Sequence, residues 1–297
     1  MPPQRRGVAV IGLGIMGGEI ARNLAAAGFA VTGFDIDPVP IAAAAAAGVA
    51  GSGSAAEAAH GKAVALTSLP SAAALEATVS ALVAEPPPGL IVAELSTLPI
   101  AAKQAAHDRL RAAGLVMLDC PLSGTGAQAA TRDLAVFASG DEAACRSCEE
   151  VFAGFARVWD YLGPFGNGSR MKFVANLLVA VHNVASAEAI VLGTKAGLDA
   201  ATILRVIGSS AANSRIFELR GPMMAERRYV PATMKINIWQ KDMSIIGEFA
   251  RGLGVDTPTF SATAPLYAEA LASGFGAEDV GAVHAVLERR AGVEPAQ

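Results

Sequence analysis

The chain has 297 residues, 53% hydrophobic and 17% charged, and this composition excludes a disordered protein, which would be poor in apolar residues. A formal net charge of −4 without any block of like charges argues against a basic nucleic-acid-binding surface and against a polybasic membrane patch. Three irregularly spaced cysteines are too few for a disulfide framework, which favours a reducing compartment.

The first half of the chain alternates short apolar runs with alanine- and leucine-rich stretches. Strands are predicted at residues 8–11, 30–34, 63–67, 90–94, 115–119 and 134–138. Helices are predicted at residues 15–27, 71–83 and 99–112. This alternation indicates βαβ units and a parallel sheet. The strands are continuously apolar, which is typical of strands covered on both faces.

The pattern changes at a glycine-rich loop, residues 163–168, after which only helices are predicted. Residues 169–196 contain no proline and no glycine before Gly193, which predicts one long helix. Further helices are predicted at residues 200–207, 233–251, 258–272 and 277–289. We therefore predict an α/β Rossmann-type domain with a parallel-rich, doubly wound sheet over residues 1–165. An all-α domain over residues 166–297 follows, opening with the long interdomain helix.

Targeting segments are not predicted. The N-terminal segment has basic residues before apolar ones, as a signal peptide does, but glycines interrupt the apolar run from Gly12 onward. The most apolar long stretch, residues 173–192, carries Asn176, Asn183 and Glu188, a mixture that a membrane span of about 20 residues rarely tolerates. We expect a soluble cytoplasmic protein with neither a membrane nor a nucleic acid as its partner.

A glycine-rich turn follows the first predicted strand and opens the first predicted helix. It fits the spacing G-x-G-x-x-G with Gly12, Leu13, Gly14, Ile15, Met16 and Gly17. The first glycine allows a tight turn, the second lets the backbone approach a pyrophosphate, and the third allows close helix–strand packing. The helix N-terminus offers free N–H groups to phosphates. The turn therefore predicts a dinucleotide site, with a ligand-free glycine turn as the alternative.

Asp35 ends the second predicted strand, 23 residues after Gly12, close to the ~20 expected of a ribose-binding carboxylate. A carboxylate accepts hydrogen bonds from the adenosine ribose of NAD and repels the 2′-phosphate of NADP. The next residues, Ile36, Asp37 and Pro38, offer no cation to that phosphate. The predicted cofactor is NAD. The alternative for Asp35 is a turn or helix cap.

Four segments resemble motifs of the β-hydroxyacid dehydrogenase family, whose members include 3-hydroxyisobutyrate dehydrogenase, tartronate semialdehyde reductase and threonate dehydrogenase. They are the turn and helix at residues 11–28, the loop at residues 119–127, the spacing of Gly166, Gly168, Lys172 and Asn176, and residues 241–243. The four occur in the family's order and cover essentially the whole chain. The resemblance implies a hydride-transferring enzyme that forms a homodimer or homotetramer.

Lys172 and Asn176 are the catalytic residues that the resemblance implies. We expect Lys172 in the first turn of the long helix, where the positive helix end and burial both lower the pKa of a lysine. Such a lysine can take the proton of a hydroxyl as hydride leaves for nicotinamide. Asn176, four residues on, shares its helix face and can hydrogen-bond the same hydroxyl. The alternative for Lys172 is a solvated surface lysine.

Substrate binding is assigned to a loop and to one lysine. Ser123, Gly124 and Thr125 would present hydroxyl and backbone N–H groups to a substrate carboxylate, an ordinary turn being the alternative. The resemblance implies that Lys241 helps to bind the substrate or close the cleft. A helix-surface lysine paired with Asp242 is the alternative.

Two further loops are assigned to the nicotinamide and its ribose by the resemblance. They contain Leu69 and Pro70 after the third predicted strand, and Ser96 and Thr97 after the fourth. For Leu69 and Pro70 the alternative is a plain strand exit and helix start.

The chain departs from the family pattern at three places. Thr125 and Arg132 stand where the family often has glycine, and Ala175 stands where an asparagine is common. These departures leave Lys172 and Asn176 intact, but they put any particular substrate in doubt.

Other polar residues receive weaker assignments. Arg170, Arg215 and Arg220 are expected at the surface or an interface, a second anion contact being the alternative. Asn183 returns to the face of Lys172 and either lines the pocket or packs the helix.

No metal site is predicted. Cys145 and Cys148 form a lone C-x-x-C, and the four histidines are scattered. Cys120 adjoins the substrate loop without a neighbouring histidine, so a nucleophilic role is not expected.

Together these features predict an oxidoreductase that transfers a hydride between NAD and a small, 3-hydroxyisobutyrate-like 3-hydroxy acid, with Lys172 as general acid/base. One alternative is an NADPH-preferring semialdehyde reductase, against which Asp35 argues. A second is a non-catalytic NAD-binding module, which would tend to lose the pair of Lys172 and Asn176. An imine reductase of this architecture normally lacks the lysine.

Overall fold

A computed structural model describes residues 7–293 of the chain. Contacts divide it into two compact units, one up to Lys172 and one from Phe173. The first unit contains all the strands found in the described residues, and the second is helical.

Six parallel strands form the main sheet of the first unit. They are β1 (Gly7–Ile11), β2 (Ala30–Phe34), β3 (Ala50–Gly51), β4 (Val64–Thr67), β5 (Ile91–Glu94) and β6 (Val116–Asp119). Their order, β3-β2-β1-β4-β5-β6, is that of a doubly wound sheet whose succession reverses beside β1. Five of these strands are predicted to within one residue. The two-residue β3 was not predicted because it is too short to show a pattern.

Burial on both faces explains why these strands are continuously apolar. Side chains alternate across a strand, so neighbouring residues of β1 face opposite layers. Val8 and Val10 belong to one core, and Ala9 and Ile11 belong to the other. Each core is closed by helices, so neither face of the sheet is left in water.

Helices connect the strands of this sheet. They are α1 (Ile15–Ala26), α2 (Pro38–Ala45), α3 (Ala55–Ala59), α4 (Ala72–Ala84) and α5 (Ile100–Ala112). The three predicted helices correspond to α1, α4 and α5. The shorter α2 begins after Asp37, whose carboxylate accepts a hydrogen bond from the Val39 N–H.

A second, three-stranded sheet completes the first unit. It contains β7 (Leu122–Ser123), β8 (Ala135–Ala138) and β9 (Val158–Tyr161), with β8 antiparallel to β7 and parallel to β9. The strand predicted at residues 134–138 is β8, which lies here and not in the main sheet. β9 was not predicted because its residues alternate between exposed and half-buried. The helices of this region are α6 (Gly126–Ala130), α7 (Glu142–Ser147) and α8 (Glu149–Phe155).

The long helix α9 (Asn167–Lys195) begins in the first unit and continues into the second. The second unit continues with α10 (Ala200–Gly208), α11 (Arg215–Ala225), α12 (Ile236–Gly252), α13 (Pro258–Ala272) and α14 (Val283–Ala291). Of these, α11 was not predicted, since Gly221 and Pro222 within it are ordinarily helix breakers.

The buried carboxylate of Asp279 explains two further differences in the second unit. It accepts hydrogen bonds from the backbone N–H groups of Thr233, Met234 and Gly281. These bonds hold the backbone in a non-helical form, so α12 starts three residues later than predicted. The 3-10 turn Val280–Ala282 likewise replaces part of the first half of the helix predicted at residues 277–289, and another 3-10 turn, Phe275–Ala277, ends where that helix was predicted to begin.

Within residues 7–293, α9 is the one helix whose length and composition would let it cross a membrane, with a mean hydropathy of 1.5 over 18 residues. The core helix of a soluble protein passes the same test. Asn183, in the middle of α9, is fully buried and donates to the Tyr267 hydroxyl (3.0 Å) and to the Val280 carbonyl oxygen (3.0 Å). These contacts give Asn183 a packing role within the second unit.

Arg132 has a left-handed backbone with φ +58°. This conformation costs a non-glycine residue roughly 1–2 kcal/mol, and glycine returns part of that in lost unfolded-state entropy. We expect Arg132→Gly to raise the free energy of unfolding by about 0.5–1 kcal/mol, measured by urea denaturation. Arg132→Ala keeps the Cβ and is the control. Equal stabilisation by both variants would contradict the backbone explanation.

Candidate active site

The turn between β1 and α1 depends on two glycines for its shape. Gly12 has φ +88°, and its N–H donates to the Phe34 carbonyl oxygen at 2.8 Å. A Cβ on Gly12 would overlap the Ser68 carbonyl oxygen, and one on Gly17 would overlap the Gly12 carbonyl oxygen. Both positions therefore exclude any side chain and bring α1 close to the ends of β1 and β4.

Gly14 has a different environment, because a Cβ built on it would meet nothing within 4 Å. It precedes α1 as the N-cap, and no side chain caps the helix. Ile15 is exposed, whereas Leu13 is buried and Met16 packs against the core, so these residues offer backbone to a ligand. Open space before an uncapped helix N-terminus fits a pyrophosphate group.

Asp35 follows β2 and is joined to the glycine turn. Its Oδ2 accepts a hydrogen bond from the Leu13 N–H (2.7 Å), and its Oδ1 accepts one from the Asp37 N–H (3.0 Å). The next residue, Ile36, is 93% exposed. The carboxylate is thus fixed at the sheet edge beside open solvent, where a ribose can reach it.

The loops after β4 and β5 meet next to this turn. The Leu69 N–H donates to the Ser96 hydroxyl oxygen at 2.7 Å, and a Cβ on Gly12 would lie 3.3 Å from the Leu69 side chain. Pro70 is exposed and Thr97 is half-buried. The structure therefore brings these four loop residues and the glycine turn to one edge of the sheet.

The predicted substrate loop begins with Ser123 at the end of β7. Gly124 has φ +135°, and a Cβ there would lie 2.5 Å from the Leu134 side chain, so this position requires glycine. Thr125 is the N-cap of α6, and its N–H donates to Gln128 Oε1 at 3.1 Å. All three predicted residues are half-buried, and Thr125 takes part in capping.

The substrate loop lies against the start of α1. A Cβ on Gly126 would be 2.5 Å from Ile15 Cγ2, and Asn23 Nδ2 donates to the Ala129 carbonyl oxygen at 2.7 Å. The loop and the glycine turn are therefore neighbours within the first unit.

A buried ion cluster that the sequence analysis missed lies at the same edge. The Lys103 ammonium is 2.5 Å from Glu94 Oε2 and 2.8 Å from Asp119 Oδ1, and all three side chains are buried. Burial by itself lowers the pKa of Lys103, but the two carboxylates raise it above its usual value. The two carboxylates therefore favour the charged form of this lysine.

Asp119 also fixes the start of α9. Its Oδ2 accepts a hydrogen bond from the Ser169 N–H (2.7 Å), and its Oδ1 accepts one from the Ser169 hydroxyl (2.8 Å). The neighbouring Gly168 N–H donates to the Ser139 hydroxyl oxygen (2.9 Å). This is a helix N-terminus capped by a buried carboxylate from β6.

Lys172 is only 8% exposed, so the alternative interpretation, a solvated surface lysine, is wrong. The predicted first-turn position is also wrong: α9 begins at Asn167, so Lys172 lies in the second turn. The helix dipole acts mainly within the first turn. Of the two features expected of Lys172, burial and a place in the first helical turn, the structure therefore shows burial.

Asn176 lies one turn beyond Lys172 on α9 and is buried in the second unit. Its Nδ2 donates to Asp242 Oδ2 at 3.1 Å, and Lys241 Nζ is 3.4 Å from Asp242 Oδ1. Lys241 is therefore paired with Asp242, as its alternative interpretation expected, and its side chain is 34% exposed. Asp242 orients the amide of Asn176 and was not predicted as a site residue.

The three arginines with weaker assignments each contact a polar side chain of their own unit. Arg170 donates to Asn167 Oδ1 and Arg215 donates to Glu218 Oε2, both at the surface. Arg220 was expected at the surface or an interface, and that is wrong. It is buried, with Nε 3.2 Å from Asp279 Oδ1, because it offsets the charge of that carboxylate.

The three cysteines are buried and unpaired by disulfides. Burial raises the pKa of Cys145 to about 11 and that of Cys148 to about 12, and it raises the pKa of Cys120 well above its usual value. Thiols in this state are poor nucleophiles. Across residues 7–293, no group of three or more metal-ligating side chains is found.

Comparisons with known proteins agree with this architecture. A family model described as the NAD-binding domain of 6-phosphogluconate dehydrogenase matches residues 7–163. A second, described as NAD-binding of NADP-dependent 3-hydroxyisobutyrate dehydrogenase, matches residues 166–287. An L-threonate dehydrogenase of Cupriavidus necator is 35% identical over 94% of this chain and 95% of its own length. The chain belongs to the β-hydroxyacid dehydrogenase family.

Two further proteins are similar to this chain over almost its whole length. An NAD-dependent L-serine dehydrogenase of Pseudomonas aeruginosa is 30% identical over 95% of this chain and 97% of its own length. The solved structure of Mycobacterium tuberculosis 3-hydroxyisobutyrate dehydrogenase with L-serine has a TM-score of 0.86 and 30% identity, covering 96% of this chain and 99% of that one. The predicted fold class and the reaction class, an NAD(P)-dependent hydroxyacid dehydrogenase, are confirmed.

Alanine substitutions of Gly14 and Gly17 should have opposite effects, because the first glycine borders open space and the second lies against backbone. Gly14→Ala places a methyl group in open space, so unfolding free energy should change by less than about 0.5 kcal/mol, while NADH affinity falls about tenfold as the pyrophosphate is displaced. Gly17→Ala should cost about 1–3 kcal/mol of stability through overlap with backbone. Urea denaturation and NADH fluorescence titration measure these effects. Unchanged NADH affinity in Gly14→Ala would contradict the assignment of the turn.

Proposed function

We propose that the protein is an NAD-dependent dehydrogenase of small, 3-hydroxyisobutyrate-like 3-hydroxy acids, with Lys172 as general acid/base. The observation that carries this proposal is a buried lysine one helical turn before an asparagine whose amide is oriented by Asp242. Burial by itself disfavours the charged form of a lysine, and the neutral amine is the form that can accept a proton.

The chemistry is divided between the cofactor and the chain. Bound nicotinamide supplies the hydride acceptor. The Lys172 amine takes the proton of the substrate hydroxyl during oxidation and returns it during reduction. Asn176 hydrogen-bonds the same oxygen, and its bond to Asp242 (3.1 Å) keeps its amide from rotating away. A pre-oriented donor costs no reorganisation during the reaction.

The glycine turn, Asp35 and the loops with Leu69, Pro70, Ser96 and Thr97 are the proposed cofactor site. Asp35 supports NAD over NADP, because a carboxylate repels a 2′-phosphate and residues 36–39 contain no cation. The hydrogen bond from Leu13 fixes the carboxylate in place, so it cannot easily swing aside to admit the phosphate.

Ser123, Gly124, Thr125 and Lys241 are the proposed substrate-binding residues. Gly124 allows the loop to turn at φ +135°, where a Cβ would overlap the Leu134 side chain, and we assign the N–H groups of this turn to the substrate carboxylate. Threonate, serine and 3-hydroxyisobutyrate, the molecules in the relatives' names, are small hydroxycarboxylates. They support this substrate class without choosing among its members.

Two alternative activities would place different demands on the site. An NADPH-preferring semialdehyde reductase would need to accommodate a phosphate next to Asp35. A non-catalytic NAD-binding module would not need Lys172. A homodimer or homotetramer in the cytoplasm, without a membrane or nucleic-acid partner, stays a prediction.

Lys172→Ala should lower kcat by about 10²–10⁴-fold, since it removes the general base, while NADH affinity changes little. The assay is NADH formation with 3-hydroxyisobutyrate, 3-hydroxypropionate, serine, threonate and glycerate. Lys195→Ala, an exposed lysine at the other end of α9, is the control. Full turnover in Lys172→Ala would refute the proposed base, and NADH binding without turnover by the unaltered protein would favour the non-catalytic module.

Asp35→Ser should raise the ratio of NADP to NAD use, measured as kcat/KM, by at least about tenfold, because it removes the repulsive charge. Asp37→Ser removes a carboxylate two residues away that caps α2, and it should leave the ratio unchanged. A protein that already prefers NADP before substitution would contradict the cofactor assignment.

A further inference from the structure

We propose that Lys103 is a positioning residue for hydride transfer: it ties the loops of the cofactor site to the start of the helix that carries Lys172. Lys103 itself need not touch substrate or cofactor. The inference rests on the proposed function of Lys172, and it concerns what holds that residue in register with the cofactor loops.

The cluster has one cation shared by two anions. Lys103 comes from α5, Glu94 ends β5 and Asp119 ends β6, and the ammonium lies 2.5 Å and 2.8 Å from the two carboxylates. The lysine side chain is 1% exposed, and both carboxylate side chains are fully buried. Because water does not screen these charges, the ammonium fixes the positions of both carboxylates closely.

One branch of the network leads from this cation to the cofactor loops. Glu94 Oε1 accepts a hydrogen bond from the Ser96 N–H at 2.9 Å. The Ser96 hydroxyl oxygen in turn accepts one from the Leu69 N–H at 2.7 Å. The loops after β4 and β5 therefore depend on the orientation of one buried carboxylate.

The second branch leads to α9. Asp119 accepts both the backbone N–H and the hydroxyl of Ser169, at 2.7 and 2.8 Å. Ser169 precedes Lys172 by three residues on the same helix, so a displacement of this anchor moves Lys172 with it. A shift of about 1 Å between reacting groups can cost about 10²-fold in rate.

Replacing a buried ion pair with apolar side chains of similar volume is often neutral or stabilising in proteins, so a buried ion triad is weak evidence for a role in stability alone. Apolar contacts are non-directional, whereas charge-assisted hydrogen bonds fix angles and distances. The triad joins two functional segments through the hydrogen bond of Lys103 to Asp119 (2.8 Å) and its buried ion pair with Glu94 (2.5 Å), and these contacts hold the two segments in a fixed relative position.

Two substitutions of graded severity test the proposal, with NADH affinity, KM, kcat and the primary deuterium isotope effect measured on folded protein. Lys103→Met removes the shared cation, and kcat should fall about 10²-fold. Ser169→Ala removes one bond of the second branch, and kcat should fall about tenfold, returning to within about threefold in Ser169→Thr, which keeps the hydroxyl. NADH affinity should stay within about threefold throughout, because the glycine turn and Asp35 are unaltered.

The isotope effect separates positioning from mere stabilisation. Poorer alignment slows the hydride step itself, so the isotope effect on kcat should rise in Lys103→Met and Ser169→Ala. A purely structural cluster would lower stability and the folded fraction, with kcat per folded enzyme and the isotope effect unchanged. Arg109→Met removes a surface charge from the same helix α5 and is the control: it can change stability, but it should leave kcat and the isotope effect unchanged.

The outcomes distinguish this inference from the proposed function. A silent unaltered protein, or turnover that survives Lys172→Ala, overturns the proposed function and this inference with it. Lys172-dependent turnover that is unchanged per folded molecule in Lys103→Met and Ser169→Ala overturns this inference alone. If Lys103→Met does not fold, the comparison of kcat between Ser169→Ala and Ser169→Thr decides whether this inference stands.

Discussion

Parallel pairing is the constraint on which the first unit depends. Because β1, β4, β5 and β6 all run in one direction, their carboxyl ends lie at a single sheet edge. Every loop proposed to bind the cofactor leaves from an end of this kind. The sheet therefore places segments that are distant in the sequence, from Gly12 to Thr97, side by side.

A parallel sheet also gathers polar groups that must be satisfied without water. At the ends of β5 and β6 the buried carboxylates of Glu94 and Asp119 find Lys103 and the N-terminus of α9. In the second unit, Asp279 plays a comparable part with Arg220 and three backbone N–H groups. In both units a buried carboxylate fixes where a helix can begin.

Sequence reasoning predicted those elements whose conformation depends on residues close together in the sequence. Apolar runs gave five strands of the main sheet, and spacing alone identified the glycine turn and Asp35. The cluster of Lys103 was missed because its members are 9 to 25 residues apart and each looks like an ordinary charged residue at the end of a strand or on a helix. Only the tertiary fold brings them together. Asp242 was missed for the same reason, and Arg220 was misplaced because burial of an arginine depends on a distant partner.

The burial of all three cysteines has a practical consequence. Cys120, Cys145 and Cys148 are inaccessible, and their raised pKa values keep them as thiols at neutral pH. A cysteine introduced at an exposed position such as Ile36 would therefore be the one thiol that labelling reagents reach quickly. A fluorophore or spin label can thus be placed beside the glycine turn without removing any native cysteine, so the native core remains intact while the motions of the loops are followed.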